Sequence, residues 1–146
     1  MSPVLVKHWL MFLLLARRGG GGGVSPLPSP YVPPTPGRNM TLAQLQSLAA
    51  HLGFPDPVLA AAIAYAESLG NPNAVNITTH PAPGNAPERS FGLWQINTLA
   101  HPQYDETQLL DPTYNGQAAF TISDGGRNWT PWSTYNSGAY KPYMGG

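Results

Sequence analysis

The sequence predicts a small, mainly α-helical domain with a short β-hairpin region, placed after an apolar N-terminal segment and a glycine- and proline-rich tether. Three observations lead there. Helix start and stop signals recur in order from residue 41 to residue 138. One stretch, SFGLWQIN (Ser90 to Asn97), combines strand-type residues with a glycine. The excess among 16 glycines and 17 prolines falls in the first 40 residues and in one later loop, which marks linkers rather than a disordered chain.

The N-terminal segment, residues 1–18, reads MSPVLVKHWLMFLLLARR. Ser2 can cap a helix, Pro3 suits its first position and Gly19 stops it. Its uninterrupted apolar run, Trp9 to Ala16, is eight residues, well short of the roughly 20 that a spanning helix needs. Two arginines follow the run, and no A-x-A cleavage pattern appears, unlike a secretory signal. Two readings stay open: an oligomerising or membrane-touching helix, and a degenerate signal or anchor. Residues 19–38 are a tether. Gly19 to Gly23 is flexible, and the six prolines between Val24 and Gly37 favour an extended, semi-rigid spacer.

The folded domain is expected over residues 39–146. Thr41 and Gln44 form a capping box, Leu42, Leu45, Leu48, Ala49 and Leu52 follow at helical spacing, and Gly53 closes the helix. Asp56-Pro57 starts a second helix that runs to about Leu69, with Gly70 as its stop. Residues 71–88 read as a long loop. Asp111-Pro112 starts a third helix through about Ser123, and Thr130-Pro131 a fourth that ends near Gly138.

Charge and composition narrow the chemistry. Seven acidic and seven basic side chains balance, so no basic surface for nucleic acid is expected. The absence of cysteine excludes thiol nucleophiles, zinc–thiolate sites and disulfides. The four histidines are isolated, with no pair at metal-ligand spacing, and no cofactor motif occurs. Among the acids, Asp56 and Asp111 read as helix caps, and Glu88 as a surface charge beside Arg89.

Glu67 differs. It lies in the last turn of the second helix, where the dipole disfavours a negative charge, next to the apolar face of Ile63, Ala64 and Ala66. Both effects would raise its pKa, as a general acid near neutral pH requires. The plainer alternative is a surface glutamate that ends the helix. Aromatic residues cluster near the C-terminus: Trp129, Trp132, Tyr135, Tyr140 and Tyr143. They suit either core packing or stacking on sugar faces.

At ESLGNPNAVN, followed by SFGLWQIN, the sequence resembles the lysozyme-like lytic transglycosylases of the soluble (SLT) type. The matching pieces are Glu67-Ser68, Asn71-Pro72-Asn73-Ala74 and Ser90-Phe91-Gly92-Leu93-Trp94-Gln95. DPTYNGQAA (from Asp111, with Asn115) and WSTYNSGAY (from Trp132, with Tyr135) add two later blocks. The ending looks most like versions in phage tail proteins and actinobacterial wall hydrolases.

The resemblance implies an α+β lysozyme-like fold. It also implies cleavage of the β-1,4 bond between N-acetylmuramic acid and N-acetylglucosamine in peptidoglycan, without a cofactor. Glu67 would be the general acid and base, with Tyr135 close by to orient it. The muramyl acetamido group would assist and the 6-hydroxyl attack, leaving a 1,6-anhydro end. The substrate-binding set it implies is Ser68, Asn71, Ser90, Trp94, Gln95, Asn115 and Trp132. Asn115 could equally serve only as a hydrogen-bonding residue at a helix start. Partners would be glycan strands, with membrane contact or oligomerisation through the N-terminal helix. The location would be a virion or the bacterial envelope.

Departures from the family pattern are Trp94 in place of Met, Ser137-Gly138 in place of Ala-Gly, and the loop from residue 77 to residue 89. If Glu88 in that loop reached the cleft, it could activate water and make the enzyme a hydrolytic muramidase. A reading of another class is an inactive structural or wall-binding virion protein.

Overall fold

The computed structural model describes residues 30–145; the expectations for the N-terminal helix and for the tether up to residue 29 lie outside the described residues. One compact unit begins at Tyr31, eight residues before the expected boundary. The Tyr31 ring stacks on that of His51, with centroids 3.8 Å apart and planes 4° from parallel. The end of the proline-rich segment thereby packs on the domain.

Helix α1 spans Leu42–His51 and opens with the expected capping box. The Gln44 N–H donates to the Thr41 hydroxyl at 3.1 Å, and the Thr41 N–H donates to the Gln44 side chain at 2.9 Å. Helix α2 spans Pro57–Ser68 and is capped by Asp56, which accepts from the Leu59 N–H at 3.0 Å. Its alanine-rich sequence is buried nearly all round, from Ala60 to Ala64. Small side chains let α1 and neighbouring segments pack closely on it.

The end of α2 is tightly constrained. Leu69, not a glycine, takes the left-handed cap conformation at φ 54°. Gly70 follows at φ 78°, where a Cβ would lie 2.1 Å from the Met40 carbonyl oxygen. The Met40 N–H donates to the Gly70 carbonyl at 2.7 Å. Only glycine tolerates both the conformation and the approach, so the helix stops at one place, just beyond Glu67.

Residues 71–88 are not all loop. Strand β1 (Val75–Thr78) pairs antiparallel with β2 (Glu88–Phe91), and β2 pairs with β3 (Ile96–Asn97), in the order β1-β2-β3. Asn76 faces Ser90 and Thr78 faces Glu88 in the register, which puts these four side chains on one face of the sheet. β1 is an edge strand with three of its four residues exposed. It therefore lacks the alternation of a half-buried strand that would identify it in the sequence. SFGLWQIN is the second hairpin, turning through Gly92 to Gln95.

Helix α3 (Pro112–Ile122) starts at the Asp111 cap as expected. The fourth helix is much shorter than expected: α4 covers only Ser133–Asn136. Trp132 is extended, at φ −100° and ψ 122°. Its indole N–H donates to the Trp94 carbonyl at 2.8 Å, and this tertiary contact holds the residue out of helical conformation. Two 3₁₀ turns, Gln108–Leu110 and Lys141–Tyr143, complete the chain. Among the described residues no helix is long and apolar enough to cross a membrane.

The core is centred on Trp94, which is fully buried. Phe54 stacks on Trp94 and on Trp129, at 5.8 and 5.6 Å between centroids, and meets Phe120 edge-on at 5.2 Å. The Trp94 indole N–H donates to the Ala60 carbonyl at 3.1 Å, tying the hairpin to α2. Asn115 ties it to α3. Its Oδ1 accepts from the Trp94 N–H at 2.8 Å, while its Nδ2 donates to the Phe91 carbonyl at 2.8 Å and to the Leu109 carbonyl at 2.9 Å.

Asn115→Ala leaves three buried backbone groups without partners, each costing about 1–3 kcal/mol. The expected loss of unfolding free energy is about 3 kcal/mol or more, measured by urea denaturation. A loss below about 1 kcal/mol would mean that these groups find other partners.

Candidate active site

A cleft of about 280 Å³ lies between the end of α2 and the small sheet. Glu67 comes from the last turn of α2, Glu88 and Ser90 from β2, Gln95 from the hairpin turn, and Ile96 and Asn97 from β3. His101, Ile122, Pro131, Trp132 and Ser133 close the remaining sides. No lysine or arginine is among its lining residues.

Glu67 is half-buried, and its Oε1 accepts from the Thr134 hydroxyl at 2.8 Å. Burial pushes its carboxyl above the ordinary glutamate range, and the negative charge of Glu88 acts in the same direction. The Thr134 hydroxyl and backbone N–H oppose the shift by stabilising the carboxylate. The net shift is upward, as the apolar surroundings led one to expect.

Glu88 is held by neutral donors. Its Oε1 accepts from the Ser90 hydroxyl at 2.9 Å and its Oε2 from the Asn76 amide at 3.3 Å. Arg89, the next residue along the strand, points away and forms a two-point ion pair with Glu106. Glu106 also accepts from the Thr98 hydroxyl at 2.9 Å. Arg89 holds the Glu106 carboxyl below its usual range.

Gln95 sits in the left-handed region at φ 49°. Its side-chain amide donates to the carbonyls of Ala74 and Gly92 at 3.1 and 3.0 Å, which fixes the orientation of its Oε1. Gly92 makes this turn possible. Its φ is 77°, and a Cβ there would lie 2.2 Å from both Asn115 Nδ2 and the Leu109 carbonyl oxygen.

The residues implied by the resemblance divide into two groups. Glu67, Ser90, Gln95 and Trp132 line the cleft. Ser90 is only 2% exposed and gives its hydroxyl to Glu88, whose carboxylate it orients. Trp132 is both core and cleft wall, being 5% exposed with its indole N–H bound to Trp94.

The other implied residues do not line the cleft. Trp94 is enclosed in the core, and Asn115 is fully buried with its side-chain donors and acceptor engaged; neither offers a surface to a glycan. The Ser68 hydroxyl donates back to the Ala64 carbonyl at 2.9 Å. Asn71 accepts from the Asn73 N–H at 2.9 Å and shapes the turn after α2. Tyr135 stacks on Tyr140 at 5.4 Å. The hydroxyl that meets Glu67 is that of Thr134, the neighbour of Tyr135 in the chain. Nothing in the sequence singled out Thr134 or Asn76, because each acts through a partner distant along the chain, or His101, which only the fold brings to the cleft wall.

Two larger grooves lie elsewhere on the surface. One, of about 630 Å³, surrounds Arg89 and Glu106, and another, of about 620 Å³, lies beside Pro55 and Phe120. Their carboxylates are already engaged: Glu106 with Arg89, Asp105 with the Gln108 N–H, and Asp124 with Arg127. Among the described residues no group of three or more histidine, aspartate or glutamate side chains gathers as a metal site.

A carboxyl whose pKa is raised by burial, on the wall of an open cleft without lysine or arginine, is suited to donating a proton to a glycosidic oxygen. Residues 46–134 match the lysozyme-like domain family, and the chain belongs to it. The family's activity is of the peptidoglycan-degrading glycosidase or lyase kind. No curated protein and no solved structure matches the chain.

The raised pKa of Glu67 has a signed consequence for stability. The folded state is favoured while the carboxyl is protonated, and this advantage is lost as pH rises through the folded pKa. Glu67→Gln escapes the loss. The thermal midpoint of the variant minus that of the wild type should therefore increase between about pH 4 and about pH 8, measured by calorimetry. A pH-independent difference would contradict the raised pKa.

Proposed function

We propose that the domain is a peptidoglycan lytic transglycosylase that cleaves the β-1,4 bond between N-acetylmuramic acid and N-acetylglucosamine, with Glu67 as general acid and then base. The single observation behind this reading is the half-buried Glu67 at the cleft wall, its carboxyl pushed above the ordinary glutamate range by burial, with the Thr134 hydroxyl on its Oε1. The acid protonates the leaving oxygen as the C1–O bond breaks. The resulting carboxylate then takes the proton of the muramyl 6-hydroxyl as that oxygen attacks C1. Family membership supports the substrate class.

Glu88 lining the same cleft favours a second reading, hydrolysis, in which a carboxylate would activate water. Muropeptides released from purified cell walls separate the two by mass. Anhydro ends are expected, and reducing ends would replace the first reading with the second. Glu67→Gln should reduce wall clearing roughly a hundred-fold or more while keeping the fold. Clearing equal to that of the wild type would remove Glu67 from the chemistry.

The apolar N-terminal segment and its tether favour an enzyme held at the bacterial envelope or carried on a virion. The full chain should partition with lipid vesicles or virions more than a chain that starts at residue 30. Equal partition would leave the segment without that role.

A further inference from the structure

We propose that Glu88 is a second catalytic carboxylate, which accepts the acetamido N–H of the muramyl sugar and stabilises the positive charge that develops there during cleavage. The inference rests on the glycan-cleaving role of Glu67 and adds a residue to it.

Asp56, Asp111 and Asp105 accept from the backbone N–H groups of Leu59, Tyr114 and Gln108 at 3.0, 2.9 and 2.9 Å. Glu106 pairs with Arg89, and Asp124 with Arg127. The two remaining carboxylates, Glu67 and Glu88, line the same cleft from opposite elements.

Glu88 is also built into that position. Its two oxygens are fixed by the nearly inaccessible Ser90 hydroxyl and by the Asn76 amide across the strand pair. Both donors are neutral, and the neighbouring arginine is turned to the other face and occupied by Glu106. The charge of Glu88 is therefore left uncompensated by the cleft. It is felt by Glu67, which places the two groups within electrostatic reach of each other. An ordinary surface glutamate has no need of a buried serine to orient it.

The chemistry supplies the missing cation. Glu67 gives its proton to the leaving oxygen, the C1–O bond breaks, and the acetamido carbonyl oxygen bonds to C1. Positive charge then resides on the acetamido C–N unit, whose N–H faces a fixed carboxylate. When the 6-hydroxyl attacks C1, its proton goes to Glu67, the C1–O bond to the acetamido group breaks, and the amide is restored. Glu88 gains and loses no proton. It differs in this from a water-activating base, which would take a proton and leave reducing ends.

The test uses the full chain and a soluble oligosaccharide of alternating N-acetylmuramic acid and N-acetylglucosamine. Glu88→Gln should lower kcat by about 10²–10³-fold with KM little changed, and the products should keep anhydro ends. The alkaline limb of the pH profile should also move to lower pH, because Glu67 loses a negative neighbour. Besides Glu88 on β2, the titratable group lining the cleft near Glu67 is His101, on the segment after β3; Ser133 and Thr134 are neutral. His101→Gln should leave the limb's response to Glu88→Gln intact.

Glu88→Asp keeps the charge but withdraws it by one methylene. It should lower kcat while leaving the alkaline limb near its wild-type position, and it serves if the glutamine variant does not fold. Wild-type kcat with an unmoved limb in Glu88→Gln overturns the proposal, and so does loss of reducing ends in that variant from a wild type that makes them. Undiminished activity in Glu67→Gln would instead sink the parent reading.

Discussion

The Asn115 side chain is the constraint on which the rest of the domain depends. Its amide joins the β2–β3 hairpin, the 3₁₀ turn before α3 and the first turn of α3 through three short hydrogen bonds. Because the site is fully buried, each bond offsets a desolvation cost, and none can be dropped cheaply. Gly92 is part of the same constraint, since any side chain there would occupy the space of the Asn115 amide. With the hairpin held in this way, Trp94 is driven into the core, and its own backbone carbonyl anchors Trp132. That contact sets the start of α4 and, two residues on, the position of Thr134 against Glu67.

The site is thus assembled from two rigid supports. One is the end of α2, stopped by Leu69 and Gly70 and braced by Met40. The other is the three-stranded sheet, whose cleft face presents Asn76, Ser90 and Glu88 in register. Neither support is a mobile loop, although Glu88 begins its strand directly after an exposed, proline-rich connection. Pre-organisation of this kind lets fixed dipoles and charges act on the substrate without rearranging during the reaction.

Two carboxylates share the cleft with different surroundings. Glu67 is partly buried and leans toward its neutral form; Glu88 is held by two neutral donors that suit an anion. Divergent environments around paired acids are a physical route to distinct roles. In this domain the difference arises from placement: the Glu67 carboxyl is partly buried at the end of α2 beside a second carboxylate, whereas Glu88 lies on a half-exposed strand.

The sequence by itself determined the three longer helices and their caps, and it marked Glu67 as a candidate acid beside an apolar face, an alternative that the burial of its carboxyl then favoured. Those features are local, since capping, helical spacing and dipole position involve residues a few places apart. The resemblance of four ordered blocks added the lysozyme-like class. Tertiary structure alone decided that Trp94 and Asn115 are framework instead of sugar contacts, because burial depends on what packs against a residue from elsewhere in the chain. It decided the edge strand β1, which has no buried face to leave a pattern, and the shortening of α4, where one indole hydrogen bond overrides local helix signals. It also decided that Thr134 meets Glu67 and that Glu88 faces the cleft. Those contacts join residues 67 apart in one case and opposite walls of a cleft in the other, a separation at which local physics carries no information.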